Sequence, residues 1–311
     1  MSAPPILSPP RLVIGDTIGL AAPASPPDDP AKIEKAIDRL TALGFKVKLG
    51  KYLRKRNGYL AGSDQERAED FNTLFADPEV KAIFALRGGY GSCRILPLLD
   101  YEMIRANPKP FLGYSDNTAL HLAILKKSGL VTFHGPNATE AFVSENESIC
   151  RRMLLEPSNP SGTVLFSREE TKEEALKTVV PGLVTGRLIG GNMTCLLRVI
   201  GTPYAPDFKN AILFLEDIGE KAYRVDGMFT HLRLAGILSQ IRGLIFGRFN
   251  HTDAEEQKRI DAYLQHEAEQ IGVPCISGAP IGHFPEQIIV PHGAPAELNA
   301  EKGILKLLSQ N

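Results

Sequence analysis

The first half of the sequence alternates short apolar runs with amphipathic stretches, and this alternation limits the possible folds more than any other feature. Short apolar runs bounded by turn residues predict buried parallel strands, and the stretches between them predict crossover helices. We therefore expect an α/β fold. The predicted strands are 17–22, 45–49, 80–86, 110–113 and 131–134, and the predicted helices are 30–43, 63–75, 92–99 and 116–127.

The periodicity breaks down between residues 156 and 174, where prolines, Gly162 and a run of charges replace it. This composition is typical of a linker, and 311 residues exceed the length at which one hydrophobic core stops growing. We predict an N-terminal domain at 1–155, a linker at 156–180 and a C-terminal α/β domain at 181–311. The last contains predicted strands at 183–189, 211–215, 243–246, 287–290 and 304–308, and helices at 193–200, 225–235 and 254–271.

The charge balance excludes several classes of partner. The chain carries 35 Lys and Arg against 36 Asp and Glu, so no global field draws it onto nucleic acid or an anionic membrane. No stretch approaches the about 18 apolar residues of a membrane span. The four cysteines lack the close spacing of a zinc or redox motif, which favours reduced thiols. We expect a cytoplasmic protein.

The segment 113–118, Gly-Tyr-Ser-Asp-Asn-Thr, follows a predicted strand directly and opens a predicted helix. Ligands of open parallel sheets bind at the carboxyl ends of the strands, where such a turn presents the hydroxyl of Ser115. The amide of Asp116 at the helix N-terminus and a backbone donor from Gly88 or Gly89 would form an oxyanion hole. The alternative is that Ser115 only caps the helix and the glycines only turn the chain.

A serine nucleophile requires a base, and His283 is the candidate because the surrounding loop 278–285 is bounded by glycine and proline. Two further histidines, His134 and His292, are kept as reserve candidates. The other four fall on or beside predicted helices, which favours structural roles for His121, His231, His251 and His266.

A catalytic histidine requires an acid that holds its tautomer. Glu216 follows the apolar strand 212–215, so we expect it to emerge where that strand stops being buried. Asp217 and Glu220 compete with it, and a solvated acidic turn would account for all three.

Other chemistries have weaker signals. His266 and Glu267 begin a zinc-peptidase pattern, but Gln270 occupies the position of the second histidine. No Ser-x-x-Lys occurs, and Asn117 stands where an α/β-hydrolase has glycine. The loop 87–92 lacks the G-x-G-x-x-G spacing of a dinucleotide site.

Five segments carry a resemblance to a known family when they are taken in order: 15–18 (Gly-Asp-Thr-Ile), 86–91 (Leu-Arg-Gly-Gly-Tyr-Gly), 113–118, 215–220 (Leu-Glu-Asp-Ile-Gly-Glu) and 282–283 (Gly-His). Together they resemble the LD-carboxypeptidases, a family that also contains the microcin C self-immunity peptidases. The similarity spans nearly the whole chain. Its least regular part is 284–287, so the resemblance does not define the shape of the substrate pocket.

The resemblance implies a triad of Ser115, Glu216 and His283 in a protein without metal or cofactor. It also implies a flavodoxin-like N-terminal domain, a smaller swivelling β/α C-terminal domain, and a homodimer. The implied substrate is a cytosolic murein tetrapeptide, which loses its terminal D-alanine at the bond to the L-centre of diaminopimelate during wall recycling.

The sequence is compatible with several alternatives. Arg87 would bind the free carboxylate of the substrate, or it would brace its own loop. A second enzymatic reading is immunity against a peptide-nucleotide antibiotic. A third reading, of another class, is a small-ligand-binding module without catalysis.

Overall fold

The computed structural model describes residues 4–143, 145–155, 162–169 and 176–309. The chain divides into two compact units. The first unit comprises residues 1–157 together with 204–206, and the second comprises 158–203 together with 207–311.

The first unit alternates strands and helices as the periodicity predicts. Its core is mostly apolar, and the third and fourth strands are almost completely buried. In chain order the elements are β1 (Thr17–Ala21), α1 (Ala31–Ala42), β2 (Lys46–Leu49), α2 (Asp64–Ala76), β3 (Val80–Ala85), α3 (Ser92–Ile95), α4 (Tyr101–Ala106), β4 (Phe111–Gly113), α5 (Thr118–Ser128), β5 (Thr132–His134) and α6 (Glu147–Leu154), with 3-10 helices at Leu96–Leu98 and Ser115–Asn117.

Local signals fix several of these boundaries. Ser63 accepts a hydrogen bond from the amide of Glu66, whose carboxylate accepts one from the Ser63 amide, so a complete capping box begins α2. Gly129 adopts φ 70° after α5, the left-handed conformation in which helices commonly end.

The strands of the first unit lie in the order β2-β1-β3-β4-β5, and neighbouring strands pair in parallel. This is the flavodoxin-like order, and it confirms the expected parallel α/β architecture. The chain reverses direction of winding between β1 and β3, which pair directly. The loops after β1 and β3 therefore meet at the switch point where open sheets bind ligands.

The second unit is also mixed α/β. Its elements are β6 (Val164–Ser167), β7 (Lys177–Val180), β8 (Leu183–Asn192), α7 (Met193–Leu197), β9 (Ala211–Ile218), α8 (Ala222–Leu234), β10 (Gly243–Asn250), α9 (Ala254–Ile271), β11 (Cys275–Ser277), β12 (Val290–His292), β13 (Pro295–Asn299) and β14 (Ile304–Leu307). One eight-stranded sheet has the order β6-β14-β13-β8-β9-β10-β11-β7. Its central strands β8 to β11 run parallel, so their carboxyl ends share one edge.

The region 156–180 differs from the linker that its composition predicts. Two of its segments form β6 and β7, which pair with β14 and β11 in the sheet of the second unit. Both strands pair with strands more than ninety positions away in the sequence. The local composition of prolines and charges does not reveal such distant pairing. Residues 156–161 and 170–175 lie outside the described part of the chain.

Across the four described ranges, no helix combines the length and the apolar character that a membrane crossing requires.

Candidate active site

Ser115 lies directly after β4, at the sharp turn into the 3-10 helix that leads to α5. Its backbone has φ 63°, in the left-handed region. A side chain in that region costs about 1–2 kcal/mol, so non-glycine residues adopt it rarely. The fold therefore holds Ser115 in a strained conformation at the carboxyl edge of the sheet, the arrangement of a nucleophile at a strand-to-helix elbow.

The loop after β3 lies against Ser115, and it requires glycine there. A Cβ atom on Gly88 would lie 2.8 Å from the Cβ and 3.1 Å from the Oγ of Ser115. Gly89 has φ 102°, and a Cβ on it would lie 2.5 Å from the Oγ of Ser25. Ser25 is itself bonded to this loop, because its amide donates to Gly88 O at 3.2 Å and its hydroxyl accepts from the Tyr90 amide at 3.1 Å. The loops after β1, β3 and β4 thus converge at one place.

Buried amide groups lock the Ser115 turn to this loop. The Nδ2 atom of Asn117 lies 3.1 Å from Tyr114 O, 3.3 Å from Arg87 O and 3.0 Å from Oδ1 of Asn137. Asn117 is fully buried, so these contacts of Nδ2 take the place of bonds to solvent. The asparagine that departs from the α/β-hydrolase pattern therefore holds the turn in place.

Asp116, the residue after the serine, is also fully buried. Its Oδ2 accepts from the Ser92 amide at 2.8 Å, and its carbonyl accepts from the Ser92 hydroxyl at 2.5 Å. These two bonds fix the Asp116 residue on both its side chain and its main chain. Ser92 was not singled out in the sequence, where a serine after Gly91 resembles an ordinary helix start.

Arg87 is paired with a neighbour. Its guanidinium makes an ion pair with Asp28 and donates to Pro26 O at 3.2 Å. The hydrogen bond from Arg87 lowers the pKa of the Asp28 carboxyl. This geometry favours the interpretation in which Arg87 braces the loops after β1 and β3.

In the second unit, Nδ1 of His283 lies 2.7 Å from Oε2 of Glu216. The expectation that Glu216 emerges where its strand stops being buried is wrong, because β9 continues to Ile218 and Glu216 is fully buried within it. Burial raises the pKa of the Glu216 carboxyl, and the charge of His283 opposes that effect. A buried carboxylate that contacts a histidine is a strong orienting group for that ring.

Glycine again permits the contact. Gly282 has φ 120°, and a Cβ on it would lie 2.8 Å from Oε2 of Glu216. The loop after β11 can therefore bring His283 onto the carboxylate only because residue 282 has no side chain.

The two competing acids have other partners. Asp217 accepts hydrogen bonds from Nδ2 of Asn192 at 3.0 Å and from the amide and hydroxyl of Thr194, both at 2.9 Å, which ties it to the start of α7. Glu220 pairs with Arg224 at 2.8 Å. Of the three acids, Glu216 is the one that contacts His283.

Three of the other histidines are buried. His121 is fully buried in α5, with ring nitrogens 2.8 Å from both Thr132 Oγ1 and Gly113 O, and burial lowers its pKa to about 4. The reserve candidates His134 and His292 are fully buried, and Nε2 of His292 accepts from the Gly190 amide at 3.3 Å. Within the described residues, no group of three or more His, Cys, Asp or Glu side chains is placed to hold a metal ion.

Comparisons with known proteins agree with this architecture. Residues 18–135 match the LD-carboxypeptidase N-terminal domain, and residues 185–298 match the LD-carboxypeptidase C-terminal domain. A probable murein peptide carboxypeptidase of Bacillus subtilis (strain 168) is 40% identical over 297 residues, which cover 93% of this chain and 90% of that protein.

Two solved structures are similar over almost their whole length. The microcin C7 self-immunity protein MccF, in its inactive mutant apo state, has a TM-score of 0.88 at 28% identity and covers 98% of this chain and 99% of its own. The muramoyltetrapeptide carboxypeptidase from Oxalobacter formigenes has a TM-score of 0.81 at 29% identity, with 94% and 99% covered.

The matched domains and the two-unit α/β architecture define a peptidase. The chain belongs to the LD-carboxypeptidase family. The resemblance carried by the five sequence segments is thereby confirmed.

Proposed function

We propose that this protein is a serine LD-carboxypeptidase that releases the terminal D-alanine from murein tetrapeptides. The observation that carries the proposal is the left-handed backbone of Ser115 at the carboxyl end of β4. A helix cap does not require that conformation, since N-cap residues normally lie in the extended region. Strain of this kind is typical of positions where a side chain must be presented for chemistry.

In the proposed mechanism the Ser115 hydroxyl attacks the scissile carbonyl while His283 takes its proton through Nε2. The Nδ1 atom of His283 faces Glu216, so the carboxylate holds the tautomer in which Nε2 accepts a proton. Glu216 then stabilises the imidazolium, and its burial strengthens that interaction because solvent does not screen it. The imidazolium returns its proton to the amine of the leaving D-alanine.

The negative charge on the tetrahedral oxygen requires hydrogen-bond donors. We propose that the backbone amides of Asp116 and of Gly88 or Gly89 supply them, because Gly88 approaches Ser115 closely and Asp116 is fixed by Ser92. Water activated by His283 then hydrolyses the acyl-enzyme and regenerates Ser115. No metal or cofactor takes part in these steps.

The substrate assignment is supported by the family and by the names of the relatives, a probable murein peptide carboxypeptidase and a muramoyltetrapeptide carboxypeptidase. We propose that the peptide is the cytosolic L-Ala-γ-D-Glu-diaminopimelate-D-Ala of wall recycling. A cytoplasmic location, a homodimer and mobility of the second domain stay predictions.

The test compares the wild type with Ser115→Ala by measuring D-alanine release from that tetrapeptide. We expect release by the wild type and a loss of at least about 10³-fold in the variant, with an unchanged circular dichroism spectrum. Ser239→Ala, at an exposed serine in a turn, serves as the control and should retain full activity. Equal turnover by Ser115→Ala and the wild type would exclude the serine mechanism.

A second candidate function is cleavage of a peptide-nucleotide of the microcin C type. It is favoured by the TM-score of 0.88 to the self-immunity protein MccF. Assaying processed microcin C beside the tetrapeptide separates the two, because the preferred substrate has the larger kcat/KM. If neither is turned over and an active-site-directed fluorophosphonate leaves Ser115 unlabelled, the chain is a ligand-binding module.

A further inference from the structure

The second unit contains a cavity of about 690 Å³ beside the loop of His283. It lies at the carboxyl ends of β10 and β11, between the first residues of β7 and one face of α9. Its volume falls in the range of small-molecule sites, and its location follows the rule that ligands of parallel sheets bind beyond the carboxyl ends of the strands. Its polar lining includes Lys177, Arg248, Asn250, Gln257, Asp261 and Ser277.

Arg248 is the unusual member of this lining. Its side chain is half-buried and its Nε atom is shielded from solvent, yet within the part of the chain that the structure describes its guanidinium has no hydrogen bond and no ion pair. Arg87 and Arg233, by contrast, are both paired with carboxylates. A half-buried guanidinium without an anion is less favourable than a paired one, so this position favours a ligand that supplies an anion.

Among the lining residues that the structure describes, the charges sum to one excess positive charge. Lys177 and Arg248 are the cations, and Asp261 is the one carboxylate among the described lining residues. Asp261 is exposed and already accepts a hydrogen bond from Nε2 of Gln257 at 2.8 Å. The lining therefore matches a ligand with a single carboxylate.

Short contacts connect Arg248 to the His283 loop. The Arg248 amide donates to Ile281 O at 2.8 Å, and Nδ2 of Asn250 donates to His283 O at 3.0 Å. The Arg248 guanidinium carbon lies 5.3 Å from the ring centroid of Phe284, the residue after His283. Stacking on a ring leaves the N–H groups of a guanidinium in its own plane, where they can bind a carboxylate through two bonds.

We propose that Arg248 and this cavity bind a carboxylate of the peptide substrate that is remote from the scissile bond. The inference rests on the proposed carboxypeptidase function, and it supplies the cation that Arg87, paired with Asp28, does not. The tetrapeptide has two such carboxylates, on D-glutamate and on the D-centre of diaminopimelate. Arg248 thereby selects anionic peptides over their amides.

The experiment measures kcat and KM of the wild type, Arg248→Met and Arg248→Lys on three peptides. These are the parent tetrapeptide and two versions with either the D-glutamate or the diaminopimelate carboxylate converted to an amide. We expect Arg248→Met to raise KM for the parent about 10- to 100-fold, the range of a charged hydrogen-bond pair, with kcat nearly unchanged. Arg248→Lys should recover part of the loss.

The amidated peptides identify the carboxylate. On the peptide that lacks the bound carboxylate, the wild type and Arg248→Met should have equal KM values. Arg242→Met, an exposed arginine immediately before β10 that does not line the cavity, is the matched control and should behave as the wild type on all three. Thermal unfolding checks each variant, and Arg248→Gln replaces Arg248→Met if the latter unfolds below the assay temperature.

An equal loss on all three peptides would mean that Arg248 only supports the His283 loop, and no loss on the parent would mean that the cavity is not a substrate site. Either result overturns the inference. If the wild type releases no D-alanine, the proposed function fails separately. Calorimetry then measures binding of the parent and amidated peptides to the wild type and to Arg248→Met. If Arg248→Met loses the preference for the parent peptide, the inference is supported. If it keeps that preference, the inference is overturned.

Discussion

His283 and Glu216 are joined by a contact of 2.7 Å between Nδ1 and Oε2, and the carboxylate lies wholly inside β9. The contact depends on Gly282, whose backbone passes Glu216 where any side chain would collide. The competing acids of the same segment are bonded elsewhere, to Asn192 and Arg224. The second unit therefore contains a preassembled acid–histidine pair.

Glu216→Gln should lower kcat for D-alanine release by about 10³- to 10⁴-fold, because an amide can stabilise the wrong tautomer of His283 and does not stabilise the imidazolium. KM should change little. Steady-state kinetics on the tetrapeptide measures both parameters. Glu220→Gln is the control, since Glu220 pairs with Arg224 and should be dispensable; equal effects of the two substitutions would refute the special role of Glu216.

Ser115→Gly should be more stable than Ser115→Ala, with a free energy of unfolding in urea that is higher by about 1 kcal/mol. Glycine adopts φ 63° without the steric cost that alanine shares with serine. At Ser239, whose φ is not positive, the same pair of substitutions should give the opposite order. An alanine variant at 115 that is as stable as the glycine variant would argue against backbone strain at this turn.

Gly88→Ala should reduce kcat by at least about tenfold, because its methyl group would lie 2.8 Å from the Cβ of Ser115 and displace either the serine or the loop. Gly227→Ala is the matched control. A Cβ at this helical position meets nothing within 4 Å, so alanine should leave activity intact and stabilise α8 by about 0.5–1 kcal/mol. Full activity of Gly88→Ala would separate this loop from the chemistry.

The stability of the protein should fall as pH decreases from about 6.5 to about 4, in part through His121. Burial lowers the pKa of His121 from its ordinary value of 6.5 to about 4. Between these values His121 is protonated in the unfolded chain and neutral in the folded state, so a lower pH favours unfolding. The contribution is at most about 3 kcal/mol. Urea unfolding across this range should show that the free energy of unfolding of the wild type exceeds that of His121→Gln by an amount that diminishes as the pH falls. A difference that stays constant would contradict the assignment.

Much of the fold follows from local sequence signals. The buried runs of β1, β3 and β4, the Ser63 capping box and the boundaries of α9 are all predicted correctly, because each is encoded by residues that are neighbours in the chain. The missed strands β6 and β7 are short and pair with strands far along the sequence, and β11 and β13 have only three and five residues. The helices α4 and α6, with six and eight residues, are too short for their periodicity to be distinctive.

The candidate site was predictable to a different extent in each unit. The strand-to-helix position of Ser115 is visible in the sequence, whereas its φ and the approach of Gly88 arise only when three loops converge. Glu216 was expected to contact His283 from the point where its strand becomes exposed, but it is fully buried within the sheet. Arg248 was missed because the absence of a partner leaves no trace in a sequence.

The central proposal is that Ser115 and His283 take part in one reaction, Ser115 as the nucleophile and His283 as its base. The most direct measurement is kcat/KM for D-alanine release by Ser115→Ala, His283→Ala and the double variant. Residues that act together lose the same activity singly and jointly, so we predict that all three fall by the same factor to within about threefold. A double variant that loses the product of the two single factors would contradict the account.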